Sequence, residues 1–310
     1  MCYDIINNYR HNTRDRSPEE IKPMDEQRIT ENRIALIGLT ILTLLTLAVF
    51  AFCFLGVGDK LFPGDDSPDV NHTAGSTDGQ STTDSEQLSS IIAEVQGKMN
   101  NFQTLLDSPY LLLVGETTPI PEGYEVGELT LLTGYETLKL ESAAAAKFNE
   151  FLAAADKAGH AATITAAYRT EKQQKKAYDD AVEDFMNAGY PAEKARSMAA
   201  TSVGSVNCSE HQLGFAVDFS KKEMTLLGSD GRTFEEFLTS TMHQYGFILS
   251  YPAGAEEQTG REANTVHYRY VGVDAATEMK EEGWTLNEYR DYLQTQLDYL
   301  KQYVQSLENK

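Results

Sequence analysis

Along this chain the apolar positions fall into three regimes. Residues 34–57, from Ile34 to Val57, are almost wholly apolar and carry no charge, a run long enough to cross a bilayer as one helix. A buried core helix would show a polar face, and a cleaved signal peptide would be shorter and followed by a small-residue site. Neither pattern is present, so the run predicts an uncleaved transmembrane helix behind a cytoplasmic tail, residues 1–33. Arg10, Arg14, Arg16, Lys22, Arg28 and Arg33 precede it, whereas Lys60 alone of Lys and Arg lies between it and Lys98. That excess of basic residues marks the cytoplasmic side. The second regime, residues 58–87, is rich in Gly, Ser, Thr and Asp, with Pro63 and Pro68. It has too little apolar surface to fold and reads as a flexible extracellular tether.

From Leu88 the spacing becomes that of a folded domain, residues 88–310. Leu88 to Leu106 reads as a helix leading into Pro109 to Val114, a short apolar strand. Ser142 to Ala158 has helical spacing, with Phe148, Phe151 and Leu152 on one face. Thr163 to Tyr168 is β-compatible, and Thr170 to Ala188 and Pro191 to Thr201 return to helical character. Phe215 to Phe219 and Val266 to Val271 read as strands, with a helix from Thr233 to Tyr245 between them. Thr285 and Glu288 form a capping box that opens a last helix. Leu293, Leu297, Leu300, Val304 and Leu307 give that helix an apolar stripe that packs on its own domain. Strands and helices mixed in this way make a single α+β domain.

Charge narrows the partners. With 26 Lys and Arg against 47 Asp and Glu, the formal net charge is −21. Such a chain repels phosphate backbones and anionic lipid surfaces, which argues against nucleic acid and against a basic membrane patch. Cys2, Cys53 and Cys208 form neither a CxxC metal pair nor a disulfide framework, and Cys208 reads as a small buried thiol. Asn71-His72-Thr73 has the form of a glycosylation sequon, a pattern short enough to arise by chance.

Chemistry concentrates in Ser209-Glu210-His211-Gln212-Leu213-Gly214-Phe215-Ala216-Val217-Asp218 and in His267-Tyr268-Arg269-Tyr270. Two imidazoles and a carboxylate are the ligand set of a catalytic zinc that keeps one position open. Side chains alternate along a strand, so Asp218 shares a face with Ala216 while Phe215, Val217 and Phe219 face a core. His267 shares its face with Arg269. Gly214 permits a turn that returns His211 toward Asp218, and pairing of the two strands puts all three ligands around one point. His11 and His72 lie in the polar segments, His160 near a helix end, and His243 beside Tyr245-Gly246-Phe247 as a structural or supporting residue. Glu210 reads as a solvated or supporting residue.

Further segments stand in a fixed order around these motifs: Leu111 to Val114 with Pro119-Ile120-Pro121 and Tyr124, Ala167-Tyr168-Arg169-Thr170 with Gln174, and His243 to Pro252. Together, from Leu111 to Leu293, they resemble the VanY-type D-alanyl-D-alanine carboxypeptidases, zinc peptidases of the bacterial cell wall. The resemblance implies a small, mostly antiparallel sheet flanked by helices, with Zn2+ held by His211, Asp218 and His267. It implies removal of terminal D-alanine from peptidoglycan stem peptides, with zinc polarising the scissile carbonyl and acidifying water. Arg169 would face the developing oxyanion or the substrate's terminal carboxylate, and Gln174 and Ser209 would hydrogen-bond the peptide. With the apolar run, this places a single-pass protein in a bacterial, Gram-positive cell membrane, its catalytic domain outside.

Two positions depart from the family pattern. A glutamate typically stands three residues before the last histidine, with a tryptophan directly before it; here these are Asn264 and Val266. That glutamate moves a proton from water to the leaving amine, which an amide cannot do, and losing such a group costs a factor of about 10² to 10⁴. Either Glu262, at the same strand parity as Asn264, serves as the base, or the domain has lost hydrolysis and remains a wall-peptide binding or regulatory module. Ser250 also stands where arginine usually precedes Tyr251-Pro252. A third outcome, an endopeptidase acting on cross-links, needs a site open at both ends.

Overall fold

The computed structural model describes residues 80–309. The expected tail, the apolar run and most of the expected tether lie outside the described residues, among which no helix is long and apolar enough to cross a membrane. Helix α1 (Gln80–Leu106) begins within the stretch expected as tether. The apolar run after it is no strand: Pro109–Leu111 is a 3-10 turn, with the Ser108 hydroxyl accepting from Tyr110 N. Proline at the first helical position pre-sets its φ and gives up no needed donor. Carbonyls that a strand would pair find another partner, because Arg269 donates to Tyr110 O at 3.0 Å and Leu112 O at 2.7 Å. Buried backbone must be hydrogen-bonded, though not necessarily by a sheet.

Strands β1 (Leu129–Leu131) and β2 (Lys139–Glu141) form an antiparallel pair and lead into α2 (Ser142–Lys157), where the Glu141 carboxylate accepts from Ala143 N and Ala144 N. A carboxylate there satisfies orphan donors and complements the helix dipole. Next come β3 (Ile164–Ala166), α3 (Glu171–Asn187), α4 (Ala192–Ser202), β4 (Ala216–Phe219), α5 (Phe234–Thr241) and β5 (Phe247–Tyr251). The short α6 (Glu256–Thr259), β6 (Asn264–Tyr270), α7 (Val273–Glu282) and α8 (Leu286–Glu308) complete the order. Thr170, Thr233 and Thr285 close capping boxes on α3, α5 and α8, each worth on the order of 1 kcal/mol against alanine.

The main sheet has the order β3-β4-β6-β5 and is antiparallel throughout. Its inner face packs on α2: Phe148 lies 5.8 Å from Phe219 and 5.4 Å from Phe247, and Phe151 lies 5.9 Å from Phe219. Burying each such ring contributes about 1.5–3 kcal/mol. Val217, Phe219, Tyr268 and Tyr270 all join this core, as alternation requires of the residues between the site-facing ones. A second cluster joins Leu106, Leu111 and Val271 to α7 and α8 through Met279, Leu286, Leu293 and Leu297. The α8 stripe thus packs on its own domain, with Leu293, Leu297, Val304 and Leu307 buried. The domain is α+β, with one face of a small antiparallel sheet left for chemistry.

Candidate active site

The site is assembled from the two central strands and the turn that precedes one of them. Asp218 of β4 and His267 of β6 are cross-strand partners, so their side chains leave the sheet side by side. Glu210–Leu213 is a 3-10 turn closed by Gly214 at φ 83°, a left-handed conformation that only glycine takes without strain. The reversal brings His211 Nε2 to 3.1 Å from Asp218 Oδ2. His267 Nδ1 lies 2.8 Å from Asp218 Oδ1, and one ligand atom from each of the three lies within 4.8 Å of the others.

The remaining ring nitrogens settle which atoms are offered. His211 Nδ1 donates to Ala167 O at 2.8 Å; a carbonyl only accepts, so the proton sits on Nδ1. Burial, and then the charge of Arg169, push the His211 imidazole down to about 4. The ring is therefore neutral at ordinary pH, and its Nε2 lone pair faces an ionised carboxylate. Two lone pairs at that distance call for a cation between them. His267 Nε2 donates to Glu210 Oε2 at 2.9 Å, the carboxylate–histidine support that fixes a metal-binding ring. The donor set fits a divalent metal held by imidazole and carboxylate.

Around this triad the charges are nested. Glu210, 5% exposed, is the supporting residue of the two alternatives the sequence left open, and not a solvated one. Its Oε1 accepts from Arg269 Nη1 at 2.8 Å, and its Oε2 from Ser250 Oγ at 2.7 Å as well as from His267. Burial raises its carboxyl, but Arg269 and His267 outweigh that and hold it ionised. Asp218 is likewise held well below the carboxylate range by both histidines, against the cost of burial. Burial pushes His267 down, yet its bonds to Asp218 and Glu210 win and raise it to about 9. Tyr251 stacks on the His267 ring at 4.9 Å and 21°; burial and the Glu210 charge keep its hydroxyl protonated.

A cavity of about 220 Å³ opens over the three ligands, lined also by Arg169, Ser209, Tyr251, Arg261 and Asn264, with parts of α3 and α4 completing the wall. Arg169 Nη2 lies 3.6 Å from Asp218 Oδ2, and Arg169 N donates to His211 O at 3.0 Å, so this guanidinium sits beside the triad. Gln174 is fully buried. Its Oε1 accepts from Arg169 Nη1 at 3.2 Å, and its Nε2 donates to Val203 O at 3.1 Å and Gly204 O at 2.7 Å. Asn264 lines the cavity; Glu262 is not among the lining residues. Burial raises the Glu262 carboxyl above its ordinary value, while Lys194 and Lys221 pull it the other way.

The family model for VanY, D-alanyl-D-alanine carboxypeptidase, matches residues 137–273. A D-alanyl-D-alanine carboxypeptidase of Enterococcus faecalis is 34% identical over 179 residues, 58% of this chain and 65% of the relative. The chain thus spans just under two thirds of that relative's length. Among solved structures, a mutant of the vancomycin-resistance D,D-pentapeptidase VanY from a VanB-type cassette, in complex with Zn(II), is 32% identical with a TM-score of 0.53. The match covers 59% of this chain and 99% of that one. VanYB in complex with D-alanine-D-alanine is 32% identical with a TM-score of 0.54, over 59% of this chain and 98% of that one.

Proposed function

Since the chain belongs to the VanY family of D-alanyl-D-alanine carboxypeptidases, we propose that it is a zinc-dependent carboxypeptidase removing terminal D-alanine from peptidoglycan stem peptides. One observation carries the reading: the neutral His211 Nε2 faces the ionised Asp218 with His267 beside it, on the floor of a cavity that also holds Arg169. A zinc ion held by His211, Asp218 and His267 supplies Lewis acidity and lowers the pKa of water. Arg169 sets a fixed positive charge beside the carbonyl oxygen on which charge develops, and Gln174 holds that guanidinium in place. Ser209 lies along the same wall, while the Tyr251 hydroxyl is engaged with Glu210. Glu262 is assigned the proton, taken from the attacking water and returned to the leaving amine. Its raised carboxyl lies nearer working pH than an exposed one, and the assignment requires the 260–264 segment to turn it toward the cavity.

A second reading has its own support, since it is Asn264 and not Glu262 that lines the cavity. On it, the domain holds wall peptide without turnover and acts as a binding or regulatory module. The two separate cleanly. The purified chain, loaded with zinc, is incubated with pentapeptide and tetrapeptide stems and D-alanine release is measured; no release from either overturns the carboxypeptidase reading. The same reading carries the membrane proposal: residues 34–57 anchor the chain, N-terminus inside, and hold the domain over the cell wall of a Gram-positive bacterium. Protease added to intact cells then removes the domain; full protection would overturn that orientation.

A further inference from the structure

Arg261 is 5% exposed, lines the cavity, and has no carboxylate within ion-pair distance among the described residues. Its Nη1 donates to Ala200 O at 2.7 Å, its Nη2 donates to Cys208 O, and its Nε has no hydrogen-bond partner. The fold makes room for it at a backbone cost. Gly204 stands at φ 88°, and a Cβ there would lie 2.5 Å from Arg261 Nη2. A buried guanidinium without a counter-ion is expensive, because carbonyl dipoles replace only part of the lost hydration. Arg169 differs, having Asp218 at 3.6 Å to balance it.

Position gives the orphan charge a meaning. The Tyr251 ring stacks on His267 at 4.9 Å, and Arg261 Cζ lies 5.9 Å from the same ring. Arg261 therefore stands one aromatic ring away from a metal ligand, whereas Arg169 stands against Asp218. A residue released from the end of a peptide extends away from the scissile carbonyl and ends in a carboxylate. We propose that Arg261 is the specificity-determining residue that receives this free terminal carboxylate, leaving Arg169 to the carbonyl oxygen. The proposal rests on the carboxypeptidase reading for the placement of the scissile bond. It makes the chain an exopeptidase by charge, since a peptide without a free end has no anion to offer.

The test is binding, so that it survives a failure of turnover. The full chain loaded with zinc is titrated calorimetrically with N-acetyl-D-alanyl-D-alanine and with the same dipeptide ending in a carboxamide, and D-alanine release is followed in the same samples. The acid is expected to bind about 10- to 100-fold more tightly than the amide, the range of a charge-assisted bond. In Arg261→Met that preference falls toward unity through loss of acid binding alone. Equal affinity of the native chain for acid and amide overturns the proposal, as does an equal loss for both in the variant, which is what a purely structural clamp on Cys208 would give. Failure of the acid to bind also overturns it. If Arg261→Met does not fold, Gly204→Ala, which pushes on the guanidinium, is expected to reduce the same preference, and an unchanged preference overturns the proposal. Tight acid binding without D-alanine release removes the carboxypeptidase reading and leaves Arg261 as a carboxylate receptor.

Discussion

Glu210 accepts a hydrogen bond from His267 Nε2 at 2.9 Å, and this bond decides that His267 presents Nδ1 to the metal position. The two residues are far apart in sequence and meet only because β6 runs beside β4. Without the bond the ring is free to rotate or to hold the wrong tautomer.

Glu210→Gln keeps an acceptor but removes the charge that balances Arg269. Metal affinity should fall by about 10- to 100-fold, the usual cost of losing such support. Competition against a chromophoric chelator measures it, and an unchanged affinity would show that Asp218 alone orients the ring.

Metal binding should release protons with a defined pH dependence. In the metal-free protein His267 is raised to about 9 and His211 lowered to about 4, so at pH 7 His267 carries a proton that the metal must displace and His211 does not. Titration calorimetry in two buffers of different ionisation enthalpy should give roughly one proton released per metal. Affinity should climb with pH up to about 9. The sign for metal-free stability is opposite: the folded value lies above the ordinary 6.5. That contribution is complete below about 6.5 and lost as pH rises through about 9. The thermal midpoint of metal-free protein should accordingly drop over that interval.

Asn264→Glu puts a proton carrier on the cavity wall. Turnover should rise by a factor of about 10² or more if proton transfer limits the native enzyme. In the native background, Glu262→Gln should abolish D-alanine release while leaving peptide binding intact. Turnover that survives Glu262→Gln would remove Glu262 from the mechanism.

Phe151 is fully buried and touches Phe148, Phe219, Phe237 and Tyr245. Phe151→Ala should cost about 3–5 kcal/mol, read from urea unfolding of the metal-free protein. Because Phe219 adjoins Asp218, weaker metal binding should accompany the loss.

What the sequence disclosed of the site was its local geometry. Strand alternation placed Asp218 opposite the core, and Gly214 announced the reversal that returns His211 to it. Helices α2, α3, α4 and α8 were legible from helical spacing, and α8 also from Thr285 as its cap. The strand expected from Pro109 was not, because a short apolar run has no period to read and its partner is a side chain, Arg269. Glu210 could be read only as either solvated or supporting, for the same kind of reason. Its partners Ser250, His267 and Arg269 arrive from β5 and β6, and no local pattern announces a contact that strand order creates. Arg261 carried no signal at all, being one basic residue in a polar loop.

The pairing of Asp218 with His267 across β4 and β6 has a mechanical result. An ion held there rivets the two middle strands and pins the 3-10 turn that carries His211 to both. That turn lies outside the sheet's ladder and is held by separate bonds, Arg169 N to His211 O and Glu141 N to Gly214 O, so without the ion it is expected to open before the sheet does. Amide exchange should then show one patch, around residues 205–214, whose protection follows metal occupancy rather than global stability. The ion is a fastener for its own binding loop, and β5 backs it from the side, through Ser250 on Glu210 and the Tyr251 ring on His267.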